Sequence, residues 1–462
     1  MRAIPFVLFL CYLGAAGSGC KDASKSAEDT FTTAGTKIGR PVGEAPVTEA
    51  LAKTASAPTG DAKKADSAPK VEAKKAEEAP AAVAEAVVGK EHVAPRKPMQ
   101  QPIPSGILTA GSFDDNVEPH VFASFAKRSS QKRELTNLTT LLGGHRLTVL
   151  VKDPAGKPVG NARVKLSGGA SSGVELVTRS DGRAVFVLTF DQLPDDQPLV
   201  VNVTGPTGGT PITETVAVGA NRWEVTLPTA TSQFPKTLDF AIVLDTTGSM
   251  GDEIRHLAAE IRGISAAIAK NFPEVKQRFA LILYRDDNDA YVVRTFDFTG
   301  SLDQFQKNIA AQSAAGGGDY PEAVHRGLEA AGQLRWSEGP HAARVVFLIA
   351  DAPPHAQHMK RTMKAAHLLR SKGVAIYPVA CSGYDGACEF VMRACAMFIG
   401  SQFLFLTDDS GVGGAHAEPS IPYYQVERLE RLMIRMIASE LSGRVVPAEA
   451  GDILRTVGKK VN

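Results

Sequence analysis

The chain of 462 residues is long enough for two or three domains, and its 44% hydrophobic and 22% charged content is ordinary for a globular protein. A formal net charge of +1 removes any bulk electrostatic case for a nucleic-acid partner. Beyond the N-terminal segment no run of about 18 apolar residues occurs, so no other segment is expected to cross a membrane.

Residues 1–20, MRAIPFVLFLCYLGAAGSGC, hold one Arg, an apolar run from Ile4 to Leu13 and small residues ending at Cys20. The run is too short to span a bilayer and reads as a secretory signal. Its end resembles a bacterial lipobox, with Gly17 where a Leu is usual. That resemblance implies a lipid on Cys20 and a membrane-anchored, extracytoplasmic lipoprotein in the periplasm or at the cell surface. A plain signal peptide with an incidental cysteine is the other reading. Residues 21–105, rich in Ala, Lys, Glu, Pro, Thr and Ser, carry too few large apolar side chains to offset their ordering entropy. They are expected to be a disordered tether with a reach on the order of 50 Å.

Residues 106–232 show a β pattern. Short runs such as LTVLVKD, ARVKLSG, RAVFVLTF, LVVNVTG and RWEVTLP are separated by turn signals at Asp153–Gly156, Ser167–Gly169, Asp181-Gly182 and Gly205-Pro206. Such spacing indicates a β-sandwich. The stretches VKDPAGKPVGNARVKL and TRSDGRAVF resemble the carboxypeptidase regulatory-like, transthyretin-like sandwich, which implies a spacer or binding module without catalytic residues. The acidic turn GSFDDN, residues 111–116, reads as a surface loop.

Over 236–443 strands alternate with helices. The apolar runs are TLDFAIVL, RFALILY, YVVRTFDF, RVVFLIA, GVAIYPVA and QFLFLT. In the first helix Ile254, Leu257, Ile261, Ile264 and Ile268 recur at helical spacing and mark a buried stripe. Further helices are expected near Ser301, Pro321, His358 and Ala387, with a last one from about Tyr424 to Leu441. The short link RDDNDA forces an antiparallel hairpin between the second and third strands. The remaining connections allow crossovers, so an α/β fold follows: a mostly parallel six-stranded sheet with helices on both faces. Residues 444–462 are left as a C-terminal tail.

Ligands in such sheets sit at the carboxyl ends of strands. There the sequence places Asp245, Thr247 and Ser249 at alternate positions after one strand and Asp351 at the end of another. The loop Gly316-Gly-Gly-Asp-Tyr-Pro-Glu322 runs into a helix, with Pro321 suited to its first turn. Carboxylates and hydroxyls without thiol or imidazole at ligand spacing favour a hard cation: Mg²⁺, or else Mn²⁺ or Ca²⁺.

Asp-x-Thr-x-Ser after an apolar strand, a Gly-rich loop before a helix and a strand ending in Asp together resemble the von Willebrand factor type A (vWA) domain, over roughly residues 237–443. DTTGSMGDEI, YRDD, GGGDYPEAV, ADAPPH and FLTDDSGVG look like a bacterial branch, often secreted or surface-anchored. The resemblance implies a metal-ion-dependent adhesion site in which Thr247 and Ser249 offer hydroxyls. Asp245 would act directly or through water, and Asp351 through a water. An acidic side chain of a protein partner would complete the shell. In this sequence Tyr320 stands where the family has a second-loop Thr, so Asp319 is the candidate for the missing oxygen. Its other reading is a cap for the following helix.

Other residues keep two readings each. Tyr320 and His355 face a partner, or His355 stabilises its loop. The segment 407–419 forms a second cation site or ligand-facing rim, or is a connector. Arg285, Asp286, Asp287 and Asp289 are expected to be mostly solvated in a hairpin turn, with Arg285 able to pair with a site carboxylate. Cys388 and Cys395 are roughly 10 Å apart along a helix, too far to bridge. A Cys381–Cys388 disulfide and three reduced thiols both stay open. An aspartyl-phosphate enzyme is disfavoured because position 246 is not Lys, no Gly-Asp-Gly loop follows and no membrane bundle is present. The expected function is therefore a non-enzymatic, lipid-anchored binding protein. The alternative is a structural assembly module whose cation only braces loops.

Overall fold

A computed structural model describes residues 108–459 except 133–134 and 412–413. The signal segment, Cys20 and the tether lie outside the described residues.

Strand β1 (Thr109–Phe113) is followed by helices α1 (Pro119–Ser129) and α2 (Thr136–Leu142). Strands β2 (Arg146–Lys152), β3 (Arg163–Ser167), β4 (Val174–Val177) and β5 (Arg183–Val187) come next. Then come β6 (Leu199–Gly205), β7 (Gly208–Val216) and β8 (Arg222–Thr226). The seven strands from β2 on make a three-stranded sheet, β5-β2-β8, and a four-stranded sheet, β4-β3-β6-β7. Period-2 alternation explains what they bury. Leu147, Val149 and Val151 of β2 point inward between partly exposed neighbours. They share one apolar core with Val164 and Leu166 of β3, Phe186 of β5 and Val201 and Val203 of β6. At the turn into β5, Gly182 has φ 75°, and a Cβ there would lie 2.5 Å from the Val151 carbonyl oxygen. Only glycine fits that turn.

The α/β part runs through β9 (Thr237–Asp245), α3 (Gly251–Asn271), β10 (Lys276–Tyr284), β11 (Val293–Thr299) and α4 (Leu302–Ala310). It continues with α5 (Val324–Gly332), β12 (Ala342–Ala350), α6 (Met359–Ser371), β13 (Ala375–Ala380) and α7 (Gly386–Ile399). The last elements are β14 (Phe403–Thr407), β15 (Tyr423–Arg428), α8 (Leu429–Ser442) and β16 (Arg455–Gly458). They form one sheet in the order β11-β10-β9-β12-β13-β14-β1-β15-β16. Strands β10, β9, β12, β13 and β14 run parallel, and β11 pairs antiparallel with β10 as the short link requires. Strand β9 is buried on both faces. Phe240, Ile242 and Leu244 pack with α3, α4 and α8, including the Ile254–Ile268 stripe. Ala241 and Val243 pack on the other side with α5, α6 and α7. A near-continuous apolar run follows from that double burial.

Nine strands stand where six are expected, for identifiable reasons. TAGSF of β1 has too few branched apolar residues to read as a strand of this sheet. It is held by pairing with β14 and β15, so the described residues from 108 to 142 do not join the β-rich sheets. YYQVER, expected as the start of the last helix, is instead β15, and α8 begins at Leu429. The tail expected over 444–462 supplies β16, paired with β15. The acidic turn 111–116 is not a surface loop: Gly111–Phe113 lie in β1 and Asp115 is buried beside Arg393.

Buried arginines join the β-rich sheets to the α/β part. Arg370 of α6 donates to the Val185 carbonyl (2.9 Å) and to Asp191, and Arg179 is paired with Glu440 of α8. His367 accepts from Arg370 through Nδ1 at 2.7 Å. Burial and then the Arg370 charge push His367 down to about 4, so the folded ring stays neutral where an unfolded one would protonate. The ring's contribution to stability is full above about pH 6.5 and is lost as pH falls toward 4. In paired thermal melts, His367→Gln should therefore gain on the parent as pH drops from 7 to 4.5; a constant gap would contradict this.

Candidate metal centre

Asp245 is the last residue of β9 and is fully buried. Its Oδ1 accepts from the Thr247 N–H (2.9 Å) and the Thr247 hydroxyl (2.7 Å), which folds the chain into the corner ahead of α3. Its Oδ2 is buried with no hydrogen-bond partner at bonding distance, and the nearby Tyr284 hydroxyl is likewise unpartnered. Asp351 follows β12, the parallel neighbour of β9, with Leu244 level with Ile349. Both acids therefore leave the sheet at one edge. The chain continues from β9 toward β10 on one side while β12 lies on the other, so the corner is a topological switch point.

Ser249 lies beside Asp351 in the same cleft and lowers its carboxyl against the larger rise that burial causes. The Gly248 N–H donates to Gly316 O (3.2 Å) and Ala315 N–H to Thr246 O (3.1 Å), drawing the Gly-rich loop against the first. Thr247, Ser249, Asp319, Tyr320, Glu322 and Asp351 line one cleft of about 450 Å³, and among the described residues no Lys or Arg lines it. The structure thus brings all five expected metal-site residues to the same edge, with Asp245 beneath the cleft and Asp319 on its exposed rim.

Electrostatics mark the site as short of positive charge. Burial, then the Asp351 charge, raises Asp245 to about 7. Burial, then Asp245, raises Glu322 to about 9. Glu322 is the residue that sequence reasoning missed. It is only 4% exposed, and its Oε2 has no hydrogen-bond partner. The signal was present at the end of GGGDYPE, as a carboxylate two residues beyond the position compared with the family Thr. Two orphaned carboxylate oxygens beside two hydroxyls fit a hard divalent cation, which would supply the missing charge and the missing partner at once.

Several side chains are differently employed than expected. The Tyr320 hydroxyl donates to Asp351 O (3.1 Å) and accepts from the Asp385 N–H (2.6 Å), so the phenol braces three loops. Helix α5 starts at Val324, beyond Pro321, and has no side-chain cap, so Asp319 does not cap it. Arg285 and Asp286 are buried rather than solvated. Arg285 donates to Ser313 O (3.0 Å) and lies over the Tyr291 ring. His355 Nε2 sits 2.7 Å from Asp286 Oδ1, a loop-stabilising contact. In the segment 407–419, His416 is committed to Asp408 (2.9 Å) and Ser382 (3.0 Å). Cys381, Cys388 and Cys395 are free and buried, and burial pushes the Cys395 thiol up to about 12.

Residues 239–384 match the family model of the von Willebrand factor A domain. The vWA domain thus coincides with β9 through the loop after β13, the stretch that carries every site residue. The alpha-protein kinase vwkA of Dictyostelium discoideum is 32% identical over 119 residues, 26% of this chain and 19% of that protein. An ariadne-like RING finger protein of Acanthamoeba polyphaga mimivirus is 35% identical over 118 residues, 26% of this chain and 11% of that one. The chain thus spans less than a fifth of the length of either relative. Among solved structures, BatB from Bacteroides thetaiotaomicron aligns at TM-score 0.31 and 10% identity, covering 45% of this chain and 98% of that one. The pilus adhesin SpaC from Lactobacillus rhamnosus GG aligns at 0.30 and 12% identity, covering 44% and 29%. Likenesses this distant carry no argument about function.

Proposed function

We propose that the chain is a binding protein that captures a protein partner through a divalent cation, Mg²⁺ first, held in the vWA domain. The observation that carries this reading is the buried, unpartnered Asp245 Oδ2 under a cleft lined by Thr247, Ser249, Glu322 and Asp351. Thr247 and Ser249 would ligate through their hydroxyls. Asp245 would act directly or through water, Glu322 would supply a further carboxylate, and Asp351, beside Ser249, would act from outside through a water. A carboxylate oxygen of the partner would fill the remaining position.

The N-terminal features extend the proposal. Lipid on Cys20 would fix the protein on an extracytoplasmic membrane surface, with residues 21–105 as tether and the β-rich sheets as spacer. No described helix is long and apolar enough to cross a membrane.

A cross-linking pull-down from native membranes tests the reading. Partner recovery in Mg²⁺ should fall at least tenfold in chelator and in Asp245→Ala. Equal recovery in chelator would support the assembly-module alternative and remove cation-dependent capture.

A further inference from the structure

We propose that a second cleft binds an organic dianion: a phosphate monoester with an apolar body. Strand alternation builds the floor of this cleft. Leu147, Val149 and Val151 of β2 face the apolar core of the β-rich sheets, so Arg146 and Thr148 face the other way. Thr148 is level with Val185 of β5 on one side and Arg222 of β8 on the other. Helices α1, α2 and α7 close over that face with Phe122, Ala126, Leu142 and Met397, and the exposed Lys127 stands at the rim. The cleft measures about 800 Å³, enough for a small organic molecule. It shares no lining residue with the metal cleft.

Charge identifies the ligand. Lys127, Arg146, Arg183 and Arg222 line the cleft, and among the described residues no Asp or Glu does. Arg183 is paired with Asp181 (2.8 Å) and Arg222 with Glu224 (2.7 Å). Among the described residues neither Arg146 nor Lys127 has an ion-pair partner. The half-buried Arg146 guanidinium donates only to neutral oxygens, Asn116 Oδ1 (2.6 Å) and the Met397 carbonyl (3.2 Å), and its Nε has no partner. Burial lowers Arg146 below the usual arginine range, and the charges of Asp114 and Asp115 offset only part of that. Capping α7 through the Met397 carbonyl employs one Nη of Arg146 and accounts for neither its Nε nor Lys127. Two positive charges are thus left to one cleft, and a guanidinium withdrawn from water without a counter-ion is costly. A phosphate monoester carries close to two negative charges at pH 7 and three acceptor oxygens, which suit a planar guanidinium. Its body would lie along Phe122, Ala126 and Leu142. The assignment does not depend on the proposed cation.

Isothermal titration calorimetry of the full chain with 1-naphthyl phosphate tests this, in chelator so that no divalent cation can hold the phosphate elsewhere. The parent should bind one molecule per chain, and Asp245→Ala should bind it equally well. Arg146→Gln and Lys127→Gln should each weaken binding at least tenfold. 1-Naphthol, which keeps the apolar body and lacks the charge, should bind at least tenfold more weakly than its phosphate. Should Arg146→Gln fail to fold by circular dichroism, the exposed Lys127→Gln decides. A parent that does not bind the phosphate, or a folded variant at either position with unchanged affinity, would overturn the site. Naphthol binding as tightly as its phosphate would overturn it as well, and none of these results bears on the metal cleft.

Discussion

Asp245→Ala should abolish the rise in melting temperature that Mg²⁺ gives the parent, while leaving the far-ultraviolet circular dichroism unchanged. The parent effect is set by mass action: at a free cation concentration 100 times Kd, binding stabilises the folded state by about 2.7 kcal/mol. The variant removes the carboxylate whose Oδ2 lacks a protein partner and whose Oδ1 closes the corner on Thr247. Losing the acceptor for the Thr247 N–H costs about 1–3 kcal/mol. Removing a fully buried carboxylate that also faces Asp351 offsets part of that cost. The cation-free variant should therefore melt near the cation-free parent. A full Mg²⁺ shift in Asp245→Ala would remove this aspartate from the cation's shell.

Arg393→Ala should cost about 3–5 kcal/mol, the largest stability effect expected for a single substitution remote from the site. Arg393 is 0% exposed on α7. It holds Asp115 with two hydrogen bonds (2.9 and 2.7 Å), Glu389 with one (2.9 Å) and the Ser420 carbonyl at 3.1 Å. Truncation strands two buried carboxylates, each already raised above its usual range by burial. Asp115 follows β1, and β1 lies between β14 and β15. Hydrogen exchange should therefore accelerate at the β1 amides first. Replacing all three charges together, as Asp115→Leu, Glu389→Leu and Arg393→Met, should recover most of the loss, because no buried charge is then left alone. An Arg393→Ala midpoint in urea equal to the parent's would show that these buried charges do not hold β1 in place.

The parts of the fold that could be read from the chain were those fixed by local periodicity. The Ile254–Ile268 stripe and the doubly buried run of β9 each announce their partners, and both pack as their spacing requires. The strands that escaped reading are held by distant pairing. TAGSF is a strand because β14 and β15 flank it, and YYQVER is one because β1 and β16 do. The corner at Asp245 was legible because strand, acid and hydroxyls are contiguous there. Glu322 was not, because its role depends on a loop packed against two others across about seventy residues of sequence, from Asp286 to His355. The burial of Arg285 and Asp286 was hidden for the same reason: a charged hairpin turn reads as solvated until other loops cover it.

In the proposed site Asp245, Thr247, Ser249, Glu322 and Asp351 surround one cation. Crystals grown with Mn²⁺ test it through the anomalous difference map. A strong peak is expected within bonding distance of the Thr247 and Ser249 hydroxyl oxygens, with a coordination position open toward the cleft. A map with no peak there at saturating Mn²⁺, or with Asp245 and Asp351 turned away from a common centre, would contradict it.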